Sequence, residues 1–343
     1  MKFFFYLDGA NFGLSFYELK ALLDIFDINH RVLKKDSENR FVVVKCEATE
    51  KQIKELSDRS ALIKFSGVYI ERADSLELEE LEIDWGFVKS PYAVRVEDFT
   101  KSQDPGLAGR LGSVIWWALE ELGRVPNVNL MKPKTTVYFF ITKDDIYISK
   151  LIWRPAKGRF SKREPQKRPG FHPATLKPKL ARLLVNLSRA EKGKKLLDCF
   201  CGVGGVLIES ALVGCKPYGI DIDPKMISGS KKNLRHYKVK AEVAKGDARN
   251  IAKVFKGKFD AVATDPPYGR SSSLGSVAMN ELYGGFLTSC WKSLKKDSYL
   301  AMIYPHYGFM TSLINSGQYK VDFETSLYVH GGLTRNILVL RRK

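Results

Sequence analysis

Four aspartates in the second half of the chain, Asp198, Asp221, Asp247 and Asp265, each stand at the end of a short apolar run. The first opens Asp198-Cys-Phe-Cys-Gly202-Val-Gly204-Gly205, a glycine-rich turn between a strand signal and a helix signal. Glycines there let the backbone approach a ligand closely, and the free amides of a helix start attract a negative group. A dinucleotide fingerprint would place a third small residue at position 207, which is Leu207, so nicotinamide chemistry is disfavoured. Asp221 closes Gly219-Ile-Asp221, where a carboxylate accepts hydrogen bonds from both hydroxyls of a ribose. Asp247, in Gly246-Asp247-Ala248, is suited to accept an amino hydrogen of adenine while the Ala248 amide donates to a ring nitrogen. Together these residues describe a pocket for an adenosine-like ligand, its tail over Gly202–Gly205.

The fourth aspartate begins Asp265-Pro266-Pro267-Tyr268. Two prolines stiffen the backbone, so the Asp265 carboxylate and the Pro266 carbonyl converge on one amino group, and Tyr268 stacks on the base that carries it. Group transfer to an amine needs no covalent intermediate: two acceptors orient the lone pair and stabilise the charge that develops. Neighbouring chemistries lack their residues. Cytosine C5 attack calls for a Pro-Cys dipeptide, which is absent, and no serine nucleophile elbow occurs.

These residues must be positioned by strands and helices in alternation. The helical signal Leu176–Leu187 precedes strands at Lys195–Cys199, Pro217–Ile222, Ala241–Lys245, Phe259–Thr264 and Tyr299–Ile303. Helices are expected between them at Gly205–Val213, Lys225–Tyr237 and Asn280–Leu294, and two late strands at Phe323–Val329 and Asn336–Leu340. The pattern predicts an α/β fold: a doubly wound, mostly parallel sheet with a C-terminal antiparallel hairpin at its edge and ligands at the carboxyl ends of the strands.

The first half reads differently. Phe3–Leu7 (strand), Leu14–Phe26 (helix), Arg31–Leu33 and Phe41–Cys46 (hairpin) and Lys51–Ile63 (helix) match a small α+β, ferredoxin-like unit over 1–73. The acidic stretch Asp74–Asp84 marks a seam to a second unit over 74–150, with strands Tyr92–Val96, Thr135–Ile141 and Ile146–Leu151 and a helix over Leu107–Leu122. Trp116 and Trp117 in that helix are expected in its packed face, the commoner use of such a pair, with stacking on bases as the alternative. Residues 151–171 are rich in Lys, Arg and Pro and read as an extended basic linker that suits a phosphate backbone, leaving 172–343 for the α/β domain.

Charge divides along the same line. Residues 1–149 hold 20 Lys+Arg against 24 Asp+Glu, a net of −4, and residues 150–343 hold 36 against 14, a net of +22. The second half is therefore expected to face a polyanion. No apolar run approaches the roughly 18–20 residues of a membrane span, and Asp8 interrupts the N-terminal apolar run too early for a signal peptide. Five cysteines form no framework, which favours a reducing compartment, and no metal-ligand spacing is visible.

With Asp198…Gly204, Asp221, Asp247 and Asp265-Pro-Pro-Tyr268 in register, the chain resembles class I S-adenosylmethionine-dependent methyltransferases that modify exocyclic amines of nucleobases. Arg168-Pro-Gly-Phe-His172-Pro-Ala-Thr175 and Asp265-Pro-Pro-Tyr-Gly-Arg270-Ser271 extend the resemblance to the tRNA (guanine-10) N2-methyltransferases, over about 168–272, with Cys199 and Val203 where relatives often carry Pro and Thr. The resemblance implies a ferredoxin-like domain, a THUMP RNA-binding domain and a Rossmann-like catalytic domain, in that order. It implies S-adenosylmethionine held by His172, Thr175, Asp198, Gly202, Val203, Gly204, Asp221, Ile222, Asp247, Ala248 and Asp265, and chemistry at Asp265, Pro266, Pro267 and Tyr268. It also implies tRNA contacts from Arg154, Lys157, Arg159, Lys162, Arg163, Lys167, Arg168 and Arg270. The expected product is N2-methylguanosine or N2,N2-dimethylguanosine, most naturally at position 10, in a cytoplasmic enzyme that works alone or with a small activating subunit. A guanine-6 or adenine-N6 methyltransferase, and a non-catalytic RNA-binding module, are the alternatives.

Overall fold

A strand whose consecutive residues are all apolar needs cover on both faces, and Phe3, Phe4 and Phe5 are each fully buried. The computed structural model describes residues 1–343 except 75–82, 101–103, 174, 269–275, 306–309, 315–316 and 331–332. Contacts divide the chain into two compact units, described separately below. The first is Met1–Ser15, Ile28–Asp58 and Ile63–Pro155; the second is Phe16–Asp27, Arg59–Leu62 and Ala156–Lys343.

The elements up to residue 153 are β1 (Lys2–Leu7), α1 (Phe12–Ile25), β2 (His30–Asp36), β3 (Phe41–Cys46), α2 (Glu50–Arg59), β4 (Ile63–Ala73), β5 (Tyr92–Asp98), α3 (Leu107–Glu121), β6 (Thr135–Ile141) and β7 (Ile146–Trp153). Their seven strands form one sheet in the order β2-β3-β1-β4-β7-β6-β5, antiparallel at every pairing except β5–β6. One face is held by stacked rings, with Phe4 4.9 Å from Phe41 and 4.2 Å from Phe140.

Three expectations change here. The helix expected to reach Ile63 ends at Arg59, and Ile63–Ala73 is a strand that the sequence reading passed over. That strand pairs with β1 on one side and β7 on the other, so strands before and after residue 73 share one sheet. The seam itself lies mostly outside the described residues. Lastly, Trp116 and Trp117 are 36% and 54% exposed, because α3 turns Leu107, Leu111, Ile115 and Leu119 inward. Four-residue spacing sets that stripe, and the tryptophans fall beside it.

The second unit carries α4 (Pro178–Leu187), β8 (Lys195–Asp198), α5 (Gly205–Leu212), β9 (Lys216–Asp221), α6 (Pro224–His236), β10 (Glu242–Lys245), α7 (Ile251–Val254), β11 (Phe259–Thr264), α8 (Ser276–Ser293), β12 (Leu294–Tyr304), α9 (Met310–Ile314), β13 (Tyr319–His330) and β14 (Leu333–Arg342). The sheet order is β10-β9-β8-β11-β12-β14-β13, parallel from β10 to β12 and antiparallel in the final hairpin. Strand order reverses between β8 and β11, which opens a crevice at their carboxyl ends. Phe259, Tyr283, Phe286, Leu300 and Leu338 are among the buried side chains of its core.

The segment expected as an extended basic linker is more folded than that. Leu151–Trp153 complete β7, and Ser161–Arg163 and Pro165–Lys167 are short 3-10 turns, the second started by its proline. Two of its cations point inward. Arg163 grips the fully buried Glu209 through Nε and Nη2 at 2.6 and 3.1 Å, and Arg182 adds a third contact at 2.8 Å. Arg168 is 4% exposed, and its Nε donates to the Arg163 carbonyl at 2.9 Å. A buried carboxylate without counter-charge is costly, so Glu209 draws these arginines off the surface. No described helix is long and apolar enough to cross a membrane.

Candidate active site

The crevice between β8 and β11 opens into a cavity of about 550 Å³. Asp198 lies at its floor, 2% exposed, accepting the Thr264 hydroxyl at 2.7 Å and the Phe200 amide at 3.2 Å. Burial raises its carboxyl pKa to about 7, against the two hydrogen bonds that favour the anion, and the nearby Asp221 and Asp265 add to the rise. The following turn is left-handed at Gly202 (φ +50°) and Gly204 (φ +86°). A methyl at Gly204 would stand 2.6 Å from Ser230 Oγ, so both backbone and space call for glycine.

Asp221, at the end of β9, secures this turn. Its Oδ2 accepts the Gly202 amide at 2.8 Å and its Oδ1 the Asp223 amide at 2.9 Å. Each carboxylate oxygen keeps a second lone pair for a ligand hydroxyl. Asp247 differs from expectation. Arg249 holds it from Nε and Nη2, the closest contact being 2.6 Å, and this guanidinium keeps its carboxyl below the usual range. The aspartate thus faces the cavity already paired.

The corner after β11 presents the fourth aspartate. Asp265 is reached by the cavity yet walled by protein, and burial raises its carboxyl to about pKa 6, moderated by the Tyr268 hydroxyl and the charge of Arg335. The Tyr268 hydroxyl donates to Asp265 Oδ1, and the same burial and contact push its own pKa far up. Tyr268 therefore orients the carboxylate in this structure, where stacking on a base was expected. Tyr283 of α8 donates to the Pro267 carbonyl at 3.2 Å and clamps the corner from behind.

Of the expected cofactor residues, His172, Thr175, Asp198, Gly202, Val203, Asp221, Ile222, Asp247, Ala248 and Asp265 all line the one cavity; Gly204 stands behind it, setting the turn. Pro267 also lines it, whereas Pro266 and Tyr268 do not. Arg154, Lys157, Lys162 and Lys167 are exposed, as RNA contacts must be, and Arg159 is half-buried. Arg163 and Arg168 are corrected as RNA contacts by their inward ion pairing and burial. Arg270 lies outside the described residues. The reading missed Arg249, Tyr283 and Arg335. Only Arg249, two residues from Asp247, carried a local signal.

The cavity is strongly acidic. Asp198, Asp221, Asp223, Asp247, Asp265 and Glu281 line it against the single arginine Arg249. Such a lining repels a pyrophosphate and suits a ligand with hydroxyl donors and positive charge. S-adenosylmethionine, with its ribose, ammonium and sulfonium, has that character, so the donor set fits it. A sheet of this order, with a glycine turn after its first strand and the acceptor corner after its fourth, defines a class I S-adenosylmethionine-dependent methyltransferase.

Comparison with known proteins agrees. Residues 165–337 match the family model described as UPF0020, RMKL-like, methyltransferase domain. A tRNA (guanine(10)-N2)-dimethyltransferase of Methanothermobacter thermautotrophicus is 37% identical over 273 residues, 79% of each chain. Another protein with that name, from Methanocaldococcus jannaschii, is 32% identical and covers 98% of both chains. The crystal structure of TrmN from Thermus thermophilus superposes with a TM-score of 0.56 at 18% identity, covering 100% of each chain, which supports the fold. The chain belongs to the tRNA (guanine-10) N2-methyltransferase family.

The acid pair also sets a stability expectation. The Asp198 carboxyl rises from 3.8 to about 7 on folding. Its contribution to stability is fully present below the unfolded pKa and is lost as pH rises through about 7. The ligand-free protein should therefore lose thermal stability between about pH 4 and 7, on the order of a few kcal/mol from this group. Asp198→Asn should flatten that dependence while weakening cofactor binding. Thermal melts across pH, with and without S-adenosylmethionine, check both; an unchanged pH profile in the variant would contradict the assignment.

Proposed function

We propose that this chain methylates N2 of guanine 10 in tRNA, once to N2-methylguanosine and again to N2,N2-dimethylguanosine. The observation that carries the reading is the Asp265 corner opening on the same cavity as Asp198 and Asp221. The names of the relatives support the nucleotide and the second methyl.

When bound, S-adenosylmethionine supplies an electrophilic methyl group on a sulfonium. Asp221 holds the ribose hydroxyls, Ala248 and Asp247 face the adenine, and Asp198 with the Gly202–Gly205 turn holds the methionine end. The target guanine leaves its stack, at a cost of a few kcal/mol. Asp265 and the Pro266 carbonyl accept hydrogens from N2 and aim its lone pair at the methyl. The nitrogen would gain the methyl as the methyl's bond to sulfur breaks and the sulfur leaves as a neutral thioether, and the proton the nitrogen releases would go to Asp265, with its pKa near 6, and on to water. Tyr268 and Tyr283 keep the corner in place.

We read residues 1–73 as a ferredoxin-like domain and 74–150 as a THUMP domain that grips tRNA, with 151–171 joining them to the catalytic domain at 172–343. Exposed Arg154, Lys157, Lys162 and Lys167 suit phosphates, and exposed Trp116 and Trp117 offer faces for unpaired bases. We read the chain as a cytoplasmic enzyme that works as a monomer or with a small activating subunit. The test is an unmodified tRNA transcript incubated with labelled cofactor, then digested to nucleosides. Label should appear as methylated guanosine at N2 and vanish when guanine 10 is replaced by adenine. Label in N6-methyladenosine, or none, would overturn the reading.

A further inference from the structure

An acceptor corner of this type takes any exocyclic amine, so Asp265 and Pro266 alone do not tell guanine from adenine. β14 supplies a group that does. In the sheet, Thr264 of β11 pairs with Met302 of β12, and Met302 with Leu338 of β14. Asn336 faces Tyr304, the last residue of β12, so Arg335 projects from the edge where β11 passes into Asp265. Its guanidinium carbon lies 5.4 Å from the centroid of the Tyr268 ring. Its charge reaches Asp265, where it opposes the effect of burial. Its Nε is buried without a hydrogen-bond partner.

A cation held beside the catalytic carboxylate, with a buried Nε that no group accepts from, calls for an acceptor from the substrate. We propose that Arg335 reads the base, donating from its guanidinium to O6 and N7 of the flipped guanine while N2 rests on Asp265. Guanine presents two acceptors on that edge; a purine held the same way with an amino group at C6 turns a donor to the guanidinium, which an arginine cannot serve. The proposal rests on the guanine-N2 reading above and adds to it the residue that enforces the base.

Transcripts carrying guanine or 2,6-diaminopurine at position 10 separate the two claims, because both bases offer an N2 amine and only guanine offers O6. The full chain should favour guanine in kcat/KM by about tenfold to a hundredfold, the discrimination of one bidentate arginine contact. Arg335→Met removes the charge beside Asp265 and so slows both bases, but it should slow guanine by that further factor over diaminopurine, so the preference collapses. Arg335→Lys, which keeps charge and stem but loses the planar fork, should also narrow it and serves if the Met variant does not fold. Equal slowing on both bases, as a phosphate clamp would give, overturns the proposal. So does a preserved preference in the variants, or none in the wild type. Failure of the wild-type chain to label position 10 in either transcript instead removes the underlying guanine-N2 reading, and the proposal with it.

Discussion

Asp265→Ala should bind S-adenosylmethionine within several-fold of the unaltered chain and transfer methyl about a thousandfold more slowly. The two readouts should separate because the proposed ligand contacts that set affinity are those of Asp198, Asp221 and the glycine turn, while Asp265 is proposed to act on the amine; all three aspartates line the same cavity. The carboxylate acts only as the nitrogen begins to carry positive charge, so its loss falls on turnover. Its pKa of about 6 adds a second signature. The accepting form is the anion, so kcat/KM should fall as pH drops through about 6 and hold above it. Equilibrium binding and single-turnover transfer across pH measure both effects. Near-normal transfer by the variant would remove Asp265 from the mechanism.

The second large effect runs the other way. Asp221→Ala should weaken cofactor binding by roughly a hundredfold to ten-thousandfold, since two hydrogen bonds to a charged acceptor are lost, each contributing about 1.5–3 kcal/mol. It also frees the Gly202 and Asp223 amides that the carboxylate now ties at 2.8 and 2.9 Å, loosening the turn under the ligand. At saturating cofactor the rate should recover most of its value, because the acceptor corner is untouched. Titration calorimetry and initial rates against cofactor concentration check this. A collapse of kcat with unchanged affinity would assign Asp221 to chemistry instead.

The catalytic fold was readable because β8, β9 and β11 are short, largely apolar and each followed or closed by an aspartate. Asp198, Asp221 and Asp265 mark those ends, and the parallel order puts all three on one edge. The first half hid more. Ser60–Ile63 continues an apolar pattern that fits a helix, and only pairing on both sides makes Ile63–Ala73 a strand. Arg163 and Arg168 look like surface cations until Glu209, remote in sequence and fully buried, claims one and α5 packs against the other. Arg335 lies seventy positions from Asp265 and reaches the corner only through the register of an edge hairpin, which no local pattern encodes. The exposure of Trp116 and Trp117 was available from the four-residue stripe of α3, had period been weighed above residue type.

A crystal structure of the chain with bound S-adenosylhomocysteine bears on all of this at once. The sulfur should point at the Asp265 carboxylate across a gap that one amine nitrogen and one methyl group fill, with the ribose on Asp221 and the amino-acid end over Gly202. A ligand seated with its sulfur facing away from Asp265, or outside this cavity, would contradict the account.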